Sequence, residues 1–352
     1  MTSAAARVPS GIADVTPQWL TDVLGVQVTG ARVEQIALDT GFSSLLYRVH
    51  LTGGAGVPAS LIVKLPAESE ARGAMEMLGG YAREVTFYRT VAGRAPLQTP
   101  HVHVAEMVEN SADFVLVLED LRDWENADHL AGLSMDRARL CIAQLAGLHA
   151  WSLDRANHAV VQAFPSLDTQ VARDIFLPAF ALGWQVYRDH TATSVPSSVA
   201  VYAEQFADRA PAALEAMAER SMLLHGDIRA DNLFFNGDAL KVVDYQFASR
   251  GVGAADIAYL VSQGLPSAIR RGNDELLIRE YLEHLAGQGI TDYSFDEAWR
   301  HYRFAVAYLM VLPVITLIGW DALPQRSRAL CLTLTDRAVS AIEETDALEV
   351  FT

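Results

Sequence analysis

Residues 221–246 read SMLLHGDIRADNLFFNGDALKVVDYQ, and this stretch restricts the fold more than any other. An apolar lead-in, Met222-Leu223-Leu224, runs into His225-Gly226-Asp227. A polar turn then carries Arg229, Asp231 and Asn232, and Leu233-Phe234-Phe235 follows as a short strand. Asn236-Gly237-Asp238 is a hairpin-type turn signal, and the returning strand ends on Asp244. Asp227 and Asn232 therefore share one loop, and a hairpin folding back brings Asp244 beside them. Two carboxylates and an amide so placed suit phosphoryl transfer. One carboxylate orients and deprotonates a hydroxyl, while the amide oxygen and the second carboxylate hold Mg²⁺, a hard cation that takes oxygen ligands. His-Gly-Asp and Asp-Asn pairs also occur in ordinary turns, so the rest of the chain has to supply a nucleotide site.

His225-Gly226-Asp227, Asn232 and Val243-Asp244-Tyr245-Gln246 together resemble the catalytic and metal motifs of the aminoglycoside phosphotransferase/choline kinase superfamily. The wording is closest to the ecdysteroid-kinase-like group and its bacterial relatives. The resemblance implies a two-lobed α+β protein-kinase-like fold, with a five-stranded antiparallel N-lobe over 1–118 and a mainly helical C-lobe over 119–352. It implies ATP and Mg²⁺ as cofactors and a small-molecule hydroxyl as acceptor.

The expected nucleotide site follows in chain order. Thr16 and Pro17 mark a helix start, and that helix should stop near Gly25. Alternating residues over 32–38 predict a strand, Asp39-Thr40-Gly41-Phe42-Ser43-Ser44 a turn, and 45–51 the returning strand. Such a hairpin can lay the backbone of Gly41, Phe42, Ser43 and Ser44 over phosphates, although most such turns only connect strands. Residues 59–64 read ASLIVK, a strand ending on Lys64. A lysine there either snorkels to solvent or reaches a phosphate, and by resemblance it contacts the α- and β-phosphates. Glu84 follows on a helical segment whose Tyr81, Val85 and Tyr88 share a face. By analogy with protein kinases it pairs with Lys64. Residues 114–121, FVLVLEDL, form a buried strand leading out of the first lobe. The resemblance makes this the hinge, where backbone groups of Leu118, Glu119 and Asp120 meet the adenine edge.

Five acids, Glu119, Asp120, Asp123, Glu125 and Asp128, crowd the segment after that strand. They read as a solvated face or as a rim for a cationic substrate. Ser134 begins a helix that His149 closes, and His149 and Asp256 read as structural, the latter anchoring the His-Gly-Asp loop by resemblance. Phe176, Phe180, Trp184 and Tyr187, with Trp299, Tyr302 and Tyr308, form aromatic stripes suited to core or to an apolar substrate wall. Arg229 sits in a turn expected to be exposed, either neutralising developing charge or solvated.

Composition narrows the partners. A formal net charge of −16 across 352 residues argues against nucleic acid and anionic membrane surfaces. With 51% hydrophobic and 20% charged residues the chain is globular. Its two cysteines, Cys141 and Cys331, fit a reducing cytoplasm. Residues 304–320 are apolar but contain Pro313, which predicts a buried, kinked helix rather than a membrane span. The expected activity is ATP-dependent phosphorylation of a largely apolar alcohol. An aminoglycoside-type antibiotic phosphotransferase and a catalytically inactive nucleotide-binding protein of the same fold are the alternatives. Oligomeric state is not legible.

Overall fold

The computed structural model describes residues 8–36, 44–67 and 70–351. Gly41, Phe42 and Ser43 of the expected phosphate turn lie outside the described residues. By internal contacts the chain divides into two compact units. Met1–Arg94, Gln98–Trp124 and Lys241–Phe247 make the first, and Ala95–Leu97, Glu125–Leu240 and Ala248–Thr352 the second. A division read along the chain, 1–118 and 119–352, does not foresee the return of Lys241–Phe247, the segment carrying Asp244, to the first unit.

The first unit is built on one antiparallel sheet of five strands, β1 (Val28–Ile36), β2 (Ser44–Gly53), β3 (Ser60–Pro66), β4 (Val102–Met107) and β5 (Phe114–Glu119), in the order β1-β2-β3-β5-β4. Helix α1 (Pro17–Leu24) begins as its sequence predicts. The Thr16 hydroxyl accepts from the Trp19 N–H, and Gly25 closes the helix at φ 69°. Side chains alternate across β3. Leu61, Val63 and Leu65 enter an apolar cluster with Leu20, Val28, Val49, Val115 and Val117. Each such burial is worth about 1.5–3 kcal/mol, which pins the register and turns Lys64 to the opposite face. Lys64 stands across from Leu46 on β2 and Leu116 on β5.

Two short helices, α2 (Glu70–Met77) and α3 (Gly80–Thr90), lie between β3 and β4. Glu84, Val85, Phe87 and Tyr88 of α3 are all buried. Gly80 packs close against the flexible Met75 side chain, whose sulfur would lie 2.0 Å from a Cβ there.

In the second unit α4 (Met135–Leu153) is capped by Ser134, which accepts from the Arg137 N–H. The helix runs through His149 to Leu153, so the histidine is interior rather than terminal. The apolar stretch near the C-terminus forms two helices, Phe295–Leu309 and Val311–Thr316. The helix is interrupted at Met310, and Pro313 sits in the first turn of the second helix, where its missing N–H costs least. Among the described residues Phe295–Gly319 is apolar and long enough to cross a membrane, yet 67% of its apolar window is buried inside the protein, as in a core helix.

The aromatic stripes resolve mostly into core. Phe180, Trp184, Tyr187, Tyr302 and Tyr308 are buried, whereas Phe176 and Trp299 are part-exposed. Phe180 stacks on Phe206 at 3.8 Å and Tyr187 donates to Asp336 at 2.8 Å. The stripe therefore packs helices together, and an apolar substrate wall does not follow from it.

Candidate active site

In the first unit Lys64 ends in a charged cluster. Its Nζ lies 2.7 Å from Glu84 Oε1 and 3.2 Å from Asp244 Oδ1. Lys64 is only 6% exposed and Glu84 1%. Burial works against the Lys64 charge, but the carboxylates of Asp244 and Glu84 outweigh it and raise its pKa. Burial pushes Glu84 up, and Lys64 pulls against that. The lysine is held as an ammonium, and it does not snorkel to solvent.

Asp244 takes its place because the segment around it is fastened on both sides. Lys241 pairs with both oxygens of Glu119, at 2.7 and 2.5 Å, and lies 4.9 Å over the Trp124 ring. The Val242 N–H donates to the Gln98 carbonyl. Tyr245 stacks on Phe87 with centroids 3.5 Å apart and donates to the Val242 carbonyl. Gln246 Nε2 donates to the Ser44 hydroxyl at 3.0 Å. Between these anchors Asp244 adopts φ 69°, a left-handed conformation uncommon outside glycine. Strain of this kind persists where its surroundings over-determine it, and it clusters at functional sites.

Of the three expected hinge residues, Leu118 and Glu119 belong to β5, and the Glu119 N–H already donates to the His101 carbonyl. The Asp120 carboxylate accepts from Arg48 and from Ser60 at 2.6 Å.

In the second unit β6 (Met222–Leu224) delivers the chain into the His225-Gly226-Asp227 loop. Gly226 turns at φ 80°, and Asp227 follows at 9% exposure. A single carboxylate, Asp256, organises the turn. It accepts from the His225 N–H at 2.8 Å and the Gly226 N–H at 3.0 Å, and His149 Nε2 lies 3.2 Å away. The other His149 nitrogen meets the Tyr281 hydroxyl at 2.9 Å. Burial opposes the charge of Asp256, but its hydrogen bonds outweigh this and lower its pKa. His149 and Asp256, each read separately from the sequence as structural, thus meet in one anchor of the loop.

This anchor needs a glycine at 253. A Cβ there would lie 1.9 Å from the Tyr281 hydroxyl and 2.6 Å from His149 Nδ1. Gly253→Ala should therefore destabilise the protein by roughly 1–3 kcal/mol, the usual cost of overpacking. Chemical denaturation measures this, and an unchanged midpoint would mean that the anchor relaxes freely.

Asp227 and Asn232 meet within this unit. Asn232 Nδ2 donates to the Asp227 carbonyl at 2.9 Å and lies 3.5 Å from Asp227 Oδ2. The amide nitrogen is thereby committed to the loop. Arg229, expected in an exposed turn, is half-buried, with its Nε 3.2 Å from Asp227 Oδ1. Two residues further along the turn, the Asp231 carboxylate accepts from the His129 N–H at 3.0 Å, and the Asp231 carbonyl accepts from Asn126 Nδ2. β7 (Leu233–Asn236) then leads to the turn at Gly237, φ 58°, and into β8 (Ala239–Val242).

Asn232 in the second unit and Asp244 in the first each carry an oxygen of the kind that Mg²⁺ takes. Among the described residues no group of three or more His, Cys, Asp or Glu side chains is placed to hold a metal. Mg²⁺ bound with nucleotide needs no such group, because one or two side chains with phosphate oxygens and water suffice.

The five-stranded antiparallel sheet of the first unit and the mainly helical second unit define a kinase-like fold. The ecdysteroid kinase-like family model matches residues 39–289, more than half of the chain, and the protein belongs to that family. Solved structures agree in fold. An ethanolamine kinase from Plasmodium vivax is 12% identical, covering 95% of this chain and 90% of that one at a TM-score of 0.55. A choline/ethanolamine kinase family protein from Mesorhizobium loti is 16% identical, with 92% of each chain covered and a TM-score of 0.51. The GDP complex of an aminoglycoside 2'-phosphotransferase-IIIa is 17% identical, covering 87% and 92% at a TM-score of 0.51. No curated protein matches the chain.

Proposed function

We propose that the protein transfers the γ-phosphoryl group of ATP to a hydroxyl of a small, largely apolar molecule, with Mg²⁺ as cofactor. The observation that carries this reading is the Lys64 ammonium, nine-tenths buried between two carboxylates at 2.7 and 3.2 Å. Buried ion pairs are weak contributors to stability. Two acids against one base also leave a negative charge that a bound cation would offset.

In this reading Lys64 contacts the α- and β-phosphates and Glu84 holds it there. Backbone groups near Leu118, Glu119 and Asp120 meet the base, and those of Gly41, Phe42, Ser43 and Ser44 cover the phosphates. Asn232 and Asp244 hold Mg²⁺, which when bound neutralises charge on the phosphate oxygens. Asp227 accepts the proton of the acceptor hydroxyl as its oxygen bonds to the γ-phosphorus. The bond to the β–γ bridging oxygen breaks and ADP leaves. Arg229, beside Asp227, offsets developing charge. The retention of Lys64, Glu84, Asp227, Asn232 and Asp244 together supports an active enzyme over a decayed nucleotide-binding relative. Buried thiols at Cys141 and Cys331 support a reducing compartment, the cytoplasm.

The acceptor class is argued from charge. A polycationic aminoglycoside needs several converging carboxylates, and the acids after β5 are the evident supply. Glu119 pairs with Lys241, Asp120 with Arg48, Glu125 with Arg137 and Asp128 with Arg326. Only Asp123, 3.7 Å from Arg122, is as loosely held as a solvated acid. A rim already neutralised by its own cations favours an uncharged, mostly apolar alcohol.

A nucleotide-consumption screen with ATP and GTP, against steroid, terpenoid, amino-alcohol and aminoglycoside hydroxyls, tests this. Turnover with ATP and a steroid or terpenoid alcohol is expected, with a phosphorylated product by mass spectrometry. Phosphorylation of kanamycin-type acceptors alone would overturn the acceptor class. The GDP bound by the neighbouring aminoglycoside enzyme is the reason GTP is included.

A further inference from the structure

The first unit holds a groove that the proposed reaction does not use. Helices α2 and α3 form one wall, and residues 107–112, the turn from β4 to β5, form the other. The groove has a volume of about 440 Å³, within the usual range of small-molecule sites. Its walls are preformed and tied to each other. In the turn the Val108 N–H donates to the Asp113 carbonyl at 2.8 Å, with Asn110 at φ 57°. Arg72 of α2 pairs with Asp113 at 2.6 Å. Arg89 of α3 pairs with Glu106 of β4 and donates to the Ala105 carbonyl.

The lining is apolar in its body and acidic in its charge. Tyr81, Met107, Val108 and Ala112 supply apolar surface. Tyr81 is held in place by Phe114, with ring centroids 4.8 Å apart, whereas Val108 is 44% exposed. Both arginines are neutralised by the carboxylates they pair with. Glu76 on the helical wall and Glu109 on the turn are exposed, and among the described residues neither side chain has an ion-pair or hydrogen-bond partner. Two negative charges are therefore left over, one on each wall.

That balance selects the ligand. An anion is repelled. A bare metal ion lacks ligands, because among the described residues no three acids, histidines or cysteines converge. Exposed carboxylates hold a solvated ion only weakly, so a cation gains affinity here by covering Met107 and Val108 as well. We propose that this groove binds a small organic ammonium ion with an apolar body, its charge held between Glu76 and Glu109. Such a ligand adds a further link between the walls and braces α3, the helix from which Glu84 holds Lys64 at 2.7 Å. Occupancy should therefore tighten nucleotide binding. That coupling rests on the phosphotransferase reading given above, and the binding itself does not.

Calorimetric titration with tryptamine and phenethylamine tests the site. Tryptophol, which keeps the indole and replaces the amine by a hydroxyl, is the neutral control. At least one amine should bind with a Kd below about 1 mM, and tryptophol roughly tenfold or more weaker than tryptamine. Glu76→Gln with Glu109→Gln should bring tryptamine down to the level of tryptophol and leave tryptophol and the unfolding midpoint unchanged. With the better-binding amine at saturation, ATP affinity should rise about fivefold or more in the wild type, the scale of a modest coupling energy, and not in the double variant. Failure of both amines to bind, equal binding of tryptamine and tryptophol, or undiminished tryptamine binding by the double variant would overturn the site. A lysine-bearing peptide binding more tightly than either amine would make the groove a protein-docking surface and overturn it too. Amine binding with ATP affinity unmoved overturns the coupling. Should the chain bind no nucleotide, the phosphotransferase reading fails by itself, and the charge-dependent amine binding still decides the site.

Discussion

Asp227→Asn should cut phosphoryl transfer by roughly 10²–10⁴-fold, the range that a positioned general base supplies. The change is close to isosteric, and the loop does not depend on the carboxylate for its shape. The Asp227 N–H donates to His225 Nδ1 at 3.1 Å, and its carbonyl takes the Asn232 amide at 2.9 Å. Those two bonds, with the N–H groups of His225 and Gly226 on Asp256, belong to the backbone and survive the substitution. The expected signature is therefore selective. Single-turnover transfer collapses, while nucleotide affinity with Mg²⁺ and the unfolding midpoint stay near wild type. Turnover within tenfold of wild type, in a preparation free of contaminating kinase, would remove Asp227 from the role of base.

What the sequence disclosed and what it hid divide along the range of the interactions. The five strands, the Thr16 cap, and the strand lysine followed by a helical glutamate are written in local periodicity and short spacing. Lys64 and Glu84 accordingly meet at 2.7 Å, as their order suggested. The His-Gly-Asp loop was equally visible, because glycine at φ 80° followed by an aspartate is a local device. The supports of these groups were not visible, because each joins residues far apart in the chain. Phe87 stacks on Tyr245, Gln246 bonds Ser44, and Lys241 takes Glu119. Nothing in the spacing of 241–247 tells that it joins the first unit.

Two readings of composition were refined by such contacts. The acidic run after β5 suggested a solvated face, and Asp123, Glu125 and Asp128 are exposed, but all except Asp123 also hold an arginine or a lysine from elsewhere in the chain. The aromatic stripes offered either core or pocket, and helix packing settled most of them as core. Periodicity reports that a face is apolar, and only the tertiary structure reports what covers it.

Asp244→Asn should weaken nucleotide binding at least about tenfold, ~1.4 kcal/mol, when Mg²⁺ is present and leave it unchanged or slightly tighter when Mg²⁺ is absent. Asparagine is the substitution to use, because Asp244 sits at φ 69°, where Asn is tolerated and Ala adds strain of its own. Without metal, the Asp244 carboxylate competes with phosphate for Lys64, whose ammonium it holds at 3.2 Å. Removing its charge frees that ammonium, while Glu84 at 2.7 Å still keeps it in place. With metal, the same carboxylate is the proposed ligand, so its loss removes more than it releases. The sign of the effect thus depends on Mg²⁺, which a folding defect cannot imitate. Calorimetric titration of ATP with Mg²⁺ and with EDTA measures both arms. An equal loss in the two would show that Asp244 serves the nucleotide or the fold directly, and would take the metal site away from it.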